Sequence, residues 1–445
     1  MKHDHSCTHC SRRSFIKGAA AGAGLLTVAP IWSLRPTYAA GGLPNNGRFV
    51  VVINMFGGND GLNTVVPTHL SEYLNVRPDI NLINEGDGSG GSGGARPAGE
   101  SLHALSGGYE LHYSLADMGQ MWTDSELYVI NKVGYPRANL SHFTSMDIYS
   151  YGVRDIDGNG DGRGWLGRLA DVYCTDPTDP LAPLGIVSVG VGKRRDFQSD
   201  ETDPLIMSNV SGFRVDSDND FPADHDLRQK MVEDQLAVEP DPSVEPGVSI
   251  QNANKQAYDL VDAVAQGTAA WTDPNSRYVT GIGSNSLLNN MREISKMLSG
   301  DFGTKVFYTG IGGFDTHSNQ AGRHETLMSR LNEALQRFKL DMQDRNRWND
   351  CTILVVSEFG RRNFENGSDG TDHGHGNVFF VTGGRVQGQQ IVGDMQNSEL
   401  TQSARFLGFD YDFREVYAAL LADLGADPAL VFPESYTNTG DISLY

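Results

Sequence analysis

The stretch from Thr352 to Asn377 holds the densest set of residues able to do chemistry. Its opening run, Ile353 to Val356, is continuous and β-branched, which suits a strand buried on both faces, and it stops at a carboxylate, Glu358. Gly360 turns the chain into a loop carrying Arg361, Arg362, Asp369 and Asp372. That loop delivers His373 and His375 just ahead of a second apolar run, Val378 to Thr382. Strand, carboxylate, loop and histidine pair make the pattern of a hydrolytic metal site. Three other segments place polar residues comparably: Asp60 in the Gly57 to Asn63 turn, Ser141 after Gly134-Tyr135-Pro136, and Asp315 with His317 after Gly312-Gly313.

Carboxylates and neutral imidazoles form an oxygen and nitrogen set that suits zinc, manganese or another first-row divalent metal. No cysteine lies nearby, so a thiolate site is excluded. The candidate ligands are Asp60, Asp315, His317, Glu358, His373 and His375, holding one or two ions. Two ions ~4 Å apart can activate a nucleophile and stabilise a leaving oxygen. A serine hydroxyl needs a base or a metal to become a good nucleophile, and Ser141 is the candidate to receive that help. Each residue also has a bland role: Asp60 as a turn residue, Ser141 as an N-cap, Glu358 as an ion-pair partner of Arg361 or Arg362, His375 as a support for His373. His142 reads as packing or hydrogen-bonding locally rather than as a ligand.

The elements that must bring these residues together are strands. Arg48 to Phe56, Leu127 to Val133, Lys305 to Ile311 and Ile353 to Val356 each read as a strand, and each is followed within a few residues by one of the candidates. If the four are parallel, Asp60, Ser141, Asp315 and Glu358 meet on the carboxyl rim, where open α/β sheets bind ligands. His373 and His375 precede a strand, so they reach that rim only if the strand runs antiparallel or the loop folds back. A helix from Ser141 to about Tyr149 would put Ser141 near free backbone N–H groups that favour an anion. A long amphipathic helix, His324 to Met342, carries Leu327, Leu331, Leu335 and Phe338 on one stripe and joins two strands, the order of a parallel sheet. Gly185 to Val191 reads as a further strand and Arg414 to Leu424 as a last helix. Helical spacing in Asn252 to Ala265 and Ser284 to Leu298 predicts helices beside or over the site as a cap.

The ends of the chain differ in charge. Met1 to Ala40 carries five Lys/Arg and one Asp, a net of +4, so removing it takes the formal net charge from −21 to −25. A surface that acidic argues against nucleic acid and anionic membranes as partners. Ser11-Arg12-Arg13-Ser14-Phe15-Ile16-Lys17, followed by a short Gly/Ala-rich apolar run, reads as a twin-arginine signal with a cleavage site near Thr37-Tyr38-Ala39. The expected protein is therefore periplasmic or secreted, served by the twin-arginine translocase, with no stable membrane anchor after signal removal. Cys7 and Cys10 would leave with the signal. Cys174 and Cys351 either pair or stand as two buried thiols.

The expected organisation is a signal over 1–40 and one α/β domain over 41–445, with insertions at about 85–100, which is Gly/Ser-rich, and 196–300, which opens acidic and Pro-rich. Asp155, Asp157, Asn159 and Asp161 space their oxygens as in a calcium loop, with Gly160 at the turn. Position twelve holds Leu166 instead of a bidentate Glu, which favours an ordinary surface turn.

The pieces FGGNDGLNTVVP, GYPRANLSHFTSMDIY, GWLGRL, GGFDTH, SEFGRR, TDHG and GGRVQG resemble the DUF1501 family of exported bacterial proteins, grouped with the alkaline phosphatase and sulfatase superfamily. The resemblance implies a three-layer, alkaline-phosphatase-like sandwich around a mostly parallel sheet, with inserted loops and cap helices. It also implies Asp60 as the first metal-binding acid and Ser141 as the nucleophile. Asp315 and His317 are similar to an Asp-x-x-x-His pair but two residues closer, and His373 is similar to the last histidine ligand. Glu358-Phe359 stands where the superfamily has Asp-His, which removes one imidazole unless His375 replaces it. No Cys-x-Pro-x-Arg is present, which argues against a formylglycine sulfatase. The function implied is a metal-dependent hydrolase or transferase acting on a phosphate, sulfate or other anionic ester. The alternative is an exported binding or assembly protein on the same fold, whose partner is an envelope component rather than a small anionic substrate.

Overall fold

The computed structural model describes residues 46–86, 93–155, 157, 161–174, 176, 179–214, 230, 234, 247–273 and 275–445. The signal segment 1–40 and Asn159 of the candidate calcium loop lie outside them.

A nine-stranded sheet forms the centre. In chain order its strands are β1 (Phe49–Phe56), β2 (Leu127–Gly134), β3 (Ile186–Val189), β4 (Leu205–Met207), β5 (Val306–Gly312), β6 (Cys351–Val356), β7 (Asn377–Gly383), β8 (Gln390–Val392) and β9 (Tyr411–Asp412). Across the sheet they run β8-β2-β7-β6-β1-β5-β3-β4, with β9 also paired to β2. β1 is parallel to both β5 and β6, whereas β7 is antiparallel to β6 on one side and to β2 on the other. Two reversals restore direction, so β2 runs with β1, β5 and β6. Their carboxyl ends share one rim, and the amino end of β7 joins them there. The loop carrying His373 and His375 therefore opens on the same rim as Asp315 and Glu358.

The sheet is buried on both faces, as its unbroken apolar strands require. Phe49, Val51, Ile53 and Met55 of β1 face one core, which also takes Leu331, Leu335 and Phe338. Val50 and Val52 face the other, with Trp165, Leu169, Val416 and Leu420. The helices that line these two cores are α1 (Ala116–Thr123), α2 (His142–Tyr151), α3 (Trp165–Tyr173), α4 (Gly247–Thr268), α5 (Ser286–Ser299), α6 (Gln320–Asp344) and α7 (Phe413–Leu424). The result is a three-layer α/β sandwich. The amphipathic stripe of α6 is buried as its spacing predicts, and the helix starts four residues earlier than expected. α5 also belongs to a layer: Leu287, Leu288, Met291, Ile294 and Met297 are buried in the first core, so this helix flanks the sheet instead of capping the site.

Within the Gly/Ser-rich segment, Glu85–Gly86 pairs in parallel with Arg96–Pro97, and residues 87–92 lie outside the described set. Cys174 and Cys351 are both free thiols, and Cys351 is buried at the start of β6. Among the described residues no helix is long and apolar enough to cross a membrane.

Candidate metal centre

Three imidazoles converge on one carboxylate oxygen at the rim. Oδ1 of Asp315 lies 3.0 Å from His317 Nε2, 3.1 Å from His373 Nε2 and 3.4 Å from His142 Nε2. His317 Nε2 and His373 Nε2 are themselves 3.0 Å apart. The ligand atoms of His142, Asp315 and His373 all fall within 4.8 Å of one another. For bonds of ~2.1 Å to a common ion, neighbouring ligands sit roughly 3.0–3.4 Å apart, the edge of an octahedron or tetrahedron.

Each ring is held from behind. His142 Nδ1–H donates to Glu358 Oε1 at 2.8 Å, His373 Nδ1–H to the Leu140 carbonyl at 2.7 Å, and His317 Nδ1–H to Asp372 Oδ1 at 3.2 Å. With the proton of each neutral ring committed to Nδ1, each Nε2 presents a lone pair. Lone pairs 3.0 Å apart and facing a carboxylate oxygen repel, and a cation between them converts that repulsion into coordination. His142 Nε2 is moreover buried without a hydrogen bond. The residues present fit a first-row divalent ion, and zinc suits three nitrogens and one oxygen.

The backbone explains the placement. Asp315 follows β5 through Gly312-Gly313, and the Phe314 N–H donates to the Phe56 carbonyl at the end of β1. Gly57 adopts φ +118, and a Cβ there would collide with the Asp315 backbone. Its N–H donates to Glu358 Oε1 at 2.9 Å, so one carboxylate oxygen ties β1, the end of β6 and His142 together. Arg361, fully buried, donates to Asp315 Oδ1 at 2.8 Å, to the Phe314 and Thr371 carbonyls at 2.9 Å, and to the carbonyls of Gly57 and Gly58. It acts as a cationic rivet under the site.

Electrostatics follow from these contacts. Burial pushes the Asp315 carboxyl up, but the hydrogen bond and charge of Arg361, with His373 and His317, outweigh it and bring the pKa to about 2. The hydrogen bond to Glu358 raises the pKa of His142 against the opposing effect of burial. Burial first, then the charge of Arg361, lowers that of His373, which favours the neutral ring a metal needs.

The remaining candidates sit elsewhere. Glu358 is 2% exposed and braces His142 from behind the ligands. Asp60 is buried with Arg77, which grips its two oxygens at 2.6 and 2.9 Å, while Gln320 donates to the same carboxylate. His375 is buried, with Nε2 on the Tyr135 carbonyl at 2.8 Å and aromatic rings of Tyr135, Phe406 and Phe409 around it. Ser141 is the N-cap residue of α2, yet its hydroxyl makes no capping hydrogen bond. Asp155 pairs with Arg137 and Arg154, and Asp161 with Arg163 and Arg168, so both carboxylates already face arginines; Asp157 lies 3.8 Å from Arg137.

His142, expected to pack or hydrogen-bond locally, lies with Asp315 and His373 in a group of side chains that could hold a metal ion. The available signal was its place, one residue past Ser141 at the start of a helix leaving the rim. Asp372 and Arg361 were in view as loop residues, but nothing in their spacing marked one as the brace of His317 and the other as the support of Asp315.

A family model described as "Protein of unknown function (DUF1501)" matches residues 111–436. Among curated proteins nothing matches. Among solved structures the chain is similar to the PsFucS1 sulfatase from Pseudoalteromonas sp., at 10% identity and TM-score 0.37, over 86% of this chain and 70% of that one. It is also similar to a protein in the alkaline phosphatase superfamily from Vibrio parahaemolyticus, at 10% identity and TM-score 0.35, over 95% and 78%. A third is the alkaline phosphatase from the Antarctic bacterium TAB5, at 12% identity and TM-score 0.33, over 87% and 99%. Likeness at this level leaves the chemistry to this chain's own side chains.

Proposed function

The chain belongs to the DUF1501 family, and on that premise we propose that it is an exported metal-dependent hydrolase or transferase acting on a phosphate, sulfate or other anionic ester. The observation that carries this reading is the convergence of the His142, His317 and His373 Nε2 atoms on Asp315 Oδ1, with each Nδ1 fixed by an acceptor. A bound divalent ion would supply charge stabilisation for the reacting ester and activate an oxygen nucleophile. The chain's own contribution is to hold the lone pairs in place and to leave the centre open, Asp315 and His317 being about half exposed. Ser141, next to His142 and at the head of a ten-residue helix, offers the hydroxyl nucleophile, and the free N–H groups of that helix start favour an anionic group there. Export rests on Ser11 to Lys17, the twin-arginine segment.

One observation favours the second reading, an exported binding or assembly protein: Asp60 is already engaged by Arg77, which leaves ligands for one ion. Metal analysis of the purified mature protein, combined with a screen of aryl phosphates and sulfates, separates the two. The hydrolase reading expects a bound divalent ion and turnover, loss of both in His373→Ala, and retained metal without turnover in Ser141→Ala. Turnover retained by Ser141→Ala would move the nucleophile to a water, and metal without turnover on any ester would leave the binding reading. A wild-type protein that takes up no metal would overturn the centre.

A further inference from the structure

The loop after β3 carries three consecutive cations, Lys193, Arg194 and Arg195, in a chain of net charge −21. β3 is the parallel neighbour of β5, so this loop leaves the carboxyl side of the sheet one strand spacing, ~5 Å, from the strand that leads to Asp315. Arg194 lies over the ring of Phe56, 4.6 Å from its centroid, and the Phe56 carbonyl takes the N–H of Phe314, the residue before Asp315. The loop is also pinned to α2, the helix that starts at His142. Arg195 meets Asp147 at 2.8 Å and donates to the Tyr151 hydroxyl at 2.6 Å, and Ser150 donates to Asp196 at 2.7 Å.

Against these anchors, two cations stand incompletely answered. Arg194 pairs with Asp196 at 3.4 Å and with the Tyr308 hydroxyl, while its Nε is buried without a hydrogen bond. Lys193 is exposed and has no acidic partner among the described residues. A guanidinium held rigid over an aromatic ring beside a free ammonium makes a local positive field on a molecule whose net charge repels anions. Phe143 is the second residue of α2, directly after His142. It shares the i, i+4, i+8 stripe of α2 with Asp147 and Tyr151; Arg195 covers those two, while Phe143, at the end next to His142, is 81% exposed.

We propose that Lys193, Arg194 and Phe143 form a recognition arm for a second anionic group, so that the ligand of this rim is a polyanion with two or more sulfate or phosphate groups. Its carbon skeleton lies on Phe143 while one anionic group faces the metal centre, a placement that rests on the functional reading above. Strong binding of such a ligand by a protein this acidic requires a local cationic site.

Isothermal titration of the zinc-loaded mature protein tests the arm. The probes are a heparin-derived hexasaccharide and tripolyphosphate, which separate sulfate from phosphate, with the desulfated hexasaccharide as control. The arm predicts binding of at least one charged probe and none of the control. It also predicts at least a tenfold weakening in Lys193→Glu, recovery in Lys193→Arg, a severalfold weakening in Phe143→Ala, and unchanged zinc content in all three. Absence of binding by the wild type, or equal affinity in Lys193→Glu, overturns it. Binding is read without turnover, so a protein that binds through Lys193 but hydrolyses nothing keeps the arm and removes the hydrolase.

Discussion

Asp60 and Asp315 stand at equivalent places, each a few residues beyond the carboxyl end of a neighbouring parallel strand, and the molecule uses them in opposite ways. Asp60 is 1% exposed and closed off: Arg77 grips it, Gln320 caps it, and His324 and Asn59 complete a sealed polar network. Asp315 is 46% exposed at its side chain, with three imidazole lone pairs aimed at one oxygen. Residue type and rim position are the same in the two regions. What separates a site from a scaffold here is how completely the carboxylate is engaged: Arg77 takes both oxygens of a buried Asp60, whereas Arg361 takes one oxygen of Asp315 and leaves the carboxylate half exposed to the three imidazoles. Arg77 also donates to the Arg362 and Asn363 carbonyls at 2.9 and 2.8 Å, so the sealed region holds the base of the loop that carries the open one.

The largest expected effect comes from breaking the sealed pair. Arg77→Ala leaves Asp60 buried without its counter-ion, which should cost about 3–5 kcal/mol, read as a lower urea midpoint. Asp315→Ala should change the stability of the metal-free protein by less than about 1 kcal/mol, because Arg361 keeps four carbonyl acceptors, and yet it should abolish metal uptake. Comparable stability losses in the two variants would erase the distinction.

A finer test concerns the braces behind the open site. Glu358→Gln keeps the shape of the side chain but removes the charge that orients His142, and such changes typically weaken metal binding by about 10–100-fold. The corresponding change behind His317, Asp372→Asn, should have a smaller effect, since Asp372 is more exposed than Glu358 and lies 3.2 Å from its ring. Equal affinities in wild type and Glu358→Gln would reduce Glu358 to a structural tie between strands.

The strands were legible because apolar runs and the glycine turns that end them are local, whereas their shared direction rested on the strand, helix, strand order around α6 alone. Asp315 and His373 were legible for the same reason, as polar residues at the ends of such runs. The antiparallel course of β7, which delivers His373, was open in the sequence, since nothing local distinguishes it from a loop that folds back. Asp60 read as a ligand because its partner, Arg77, lies in a different segment with no pattern linking the two. His142 reads from the sequence as a local packing residue because whether an imidazole packs or coordinates depends on the brace at its Nδ1, and Glu358 is 216 residues away.

The smallest expected effect is the difference in sign between the two regions as pH changes, measured on the metal-free protein. Burial lowers the pKa of His324 to about 4, against the opposite pull of Asp60, and that of the neighbouring His112 falls as well, first through burial. An unfolded histidine titrates near ~6.5, so between these values the unfolded chain binds more protons than the folded one. The stability owed to neutral His324 is therefore present above about pH 6.5 and is lost as pH falls toward 4, by about 1 kcal/mol between pH 7 and 5.5. His142 runs the other way. Its folded pKa is raised, first by the hydrogen bond to Glu358, so its contribution is present below about pH 6.5 and is lost as pH rises through the folded value. Urea midpoints across this range should thus show a flatter acid side in His324→Gln and a flatter alkaline side in His142→Gln. If both substitutions flattened the same side, the sealed and open regions would differ in exposure alone and not in how their charges are answered.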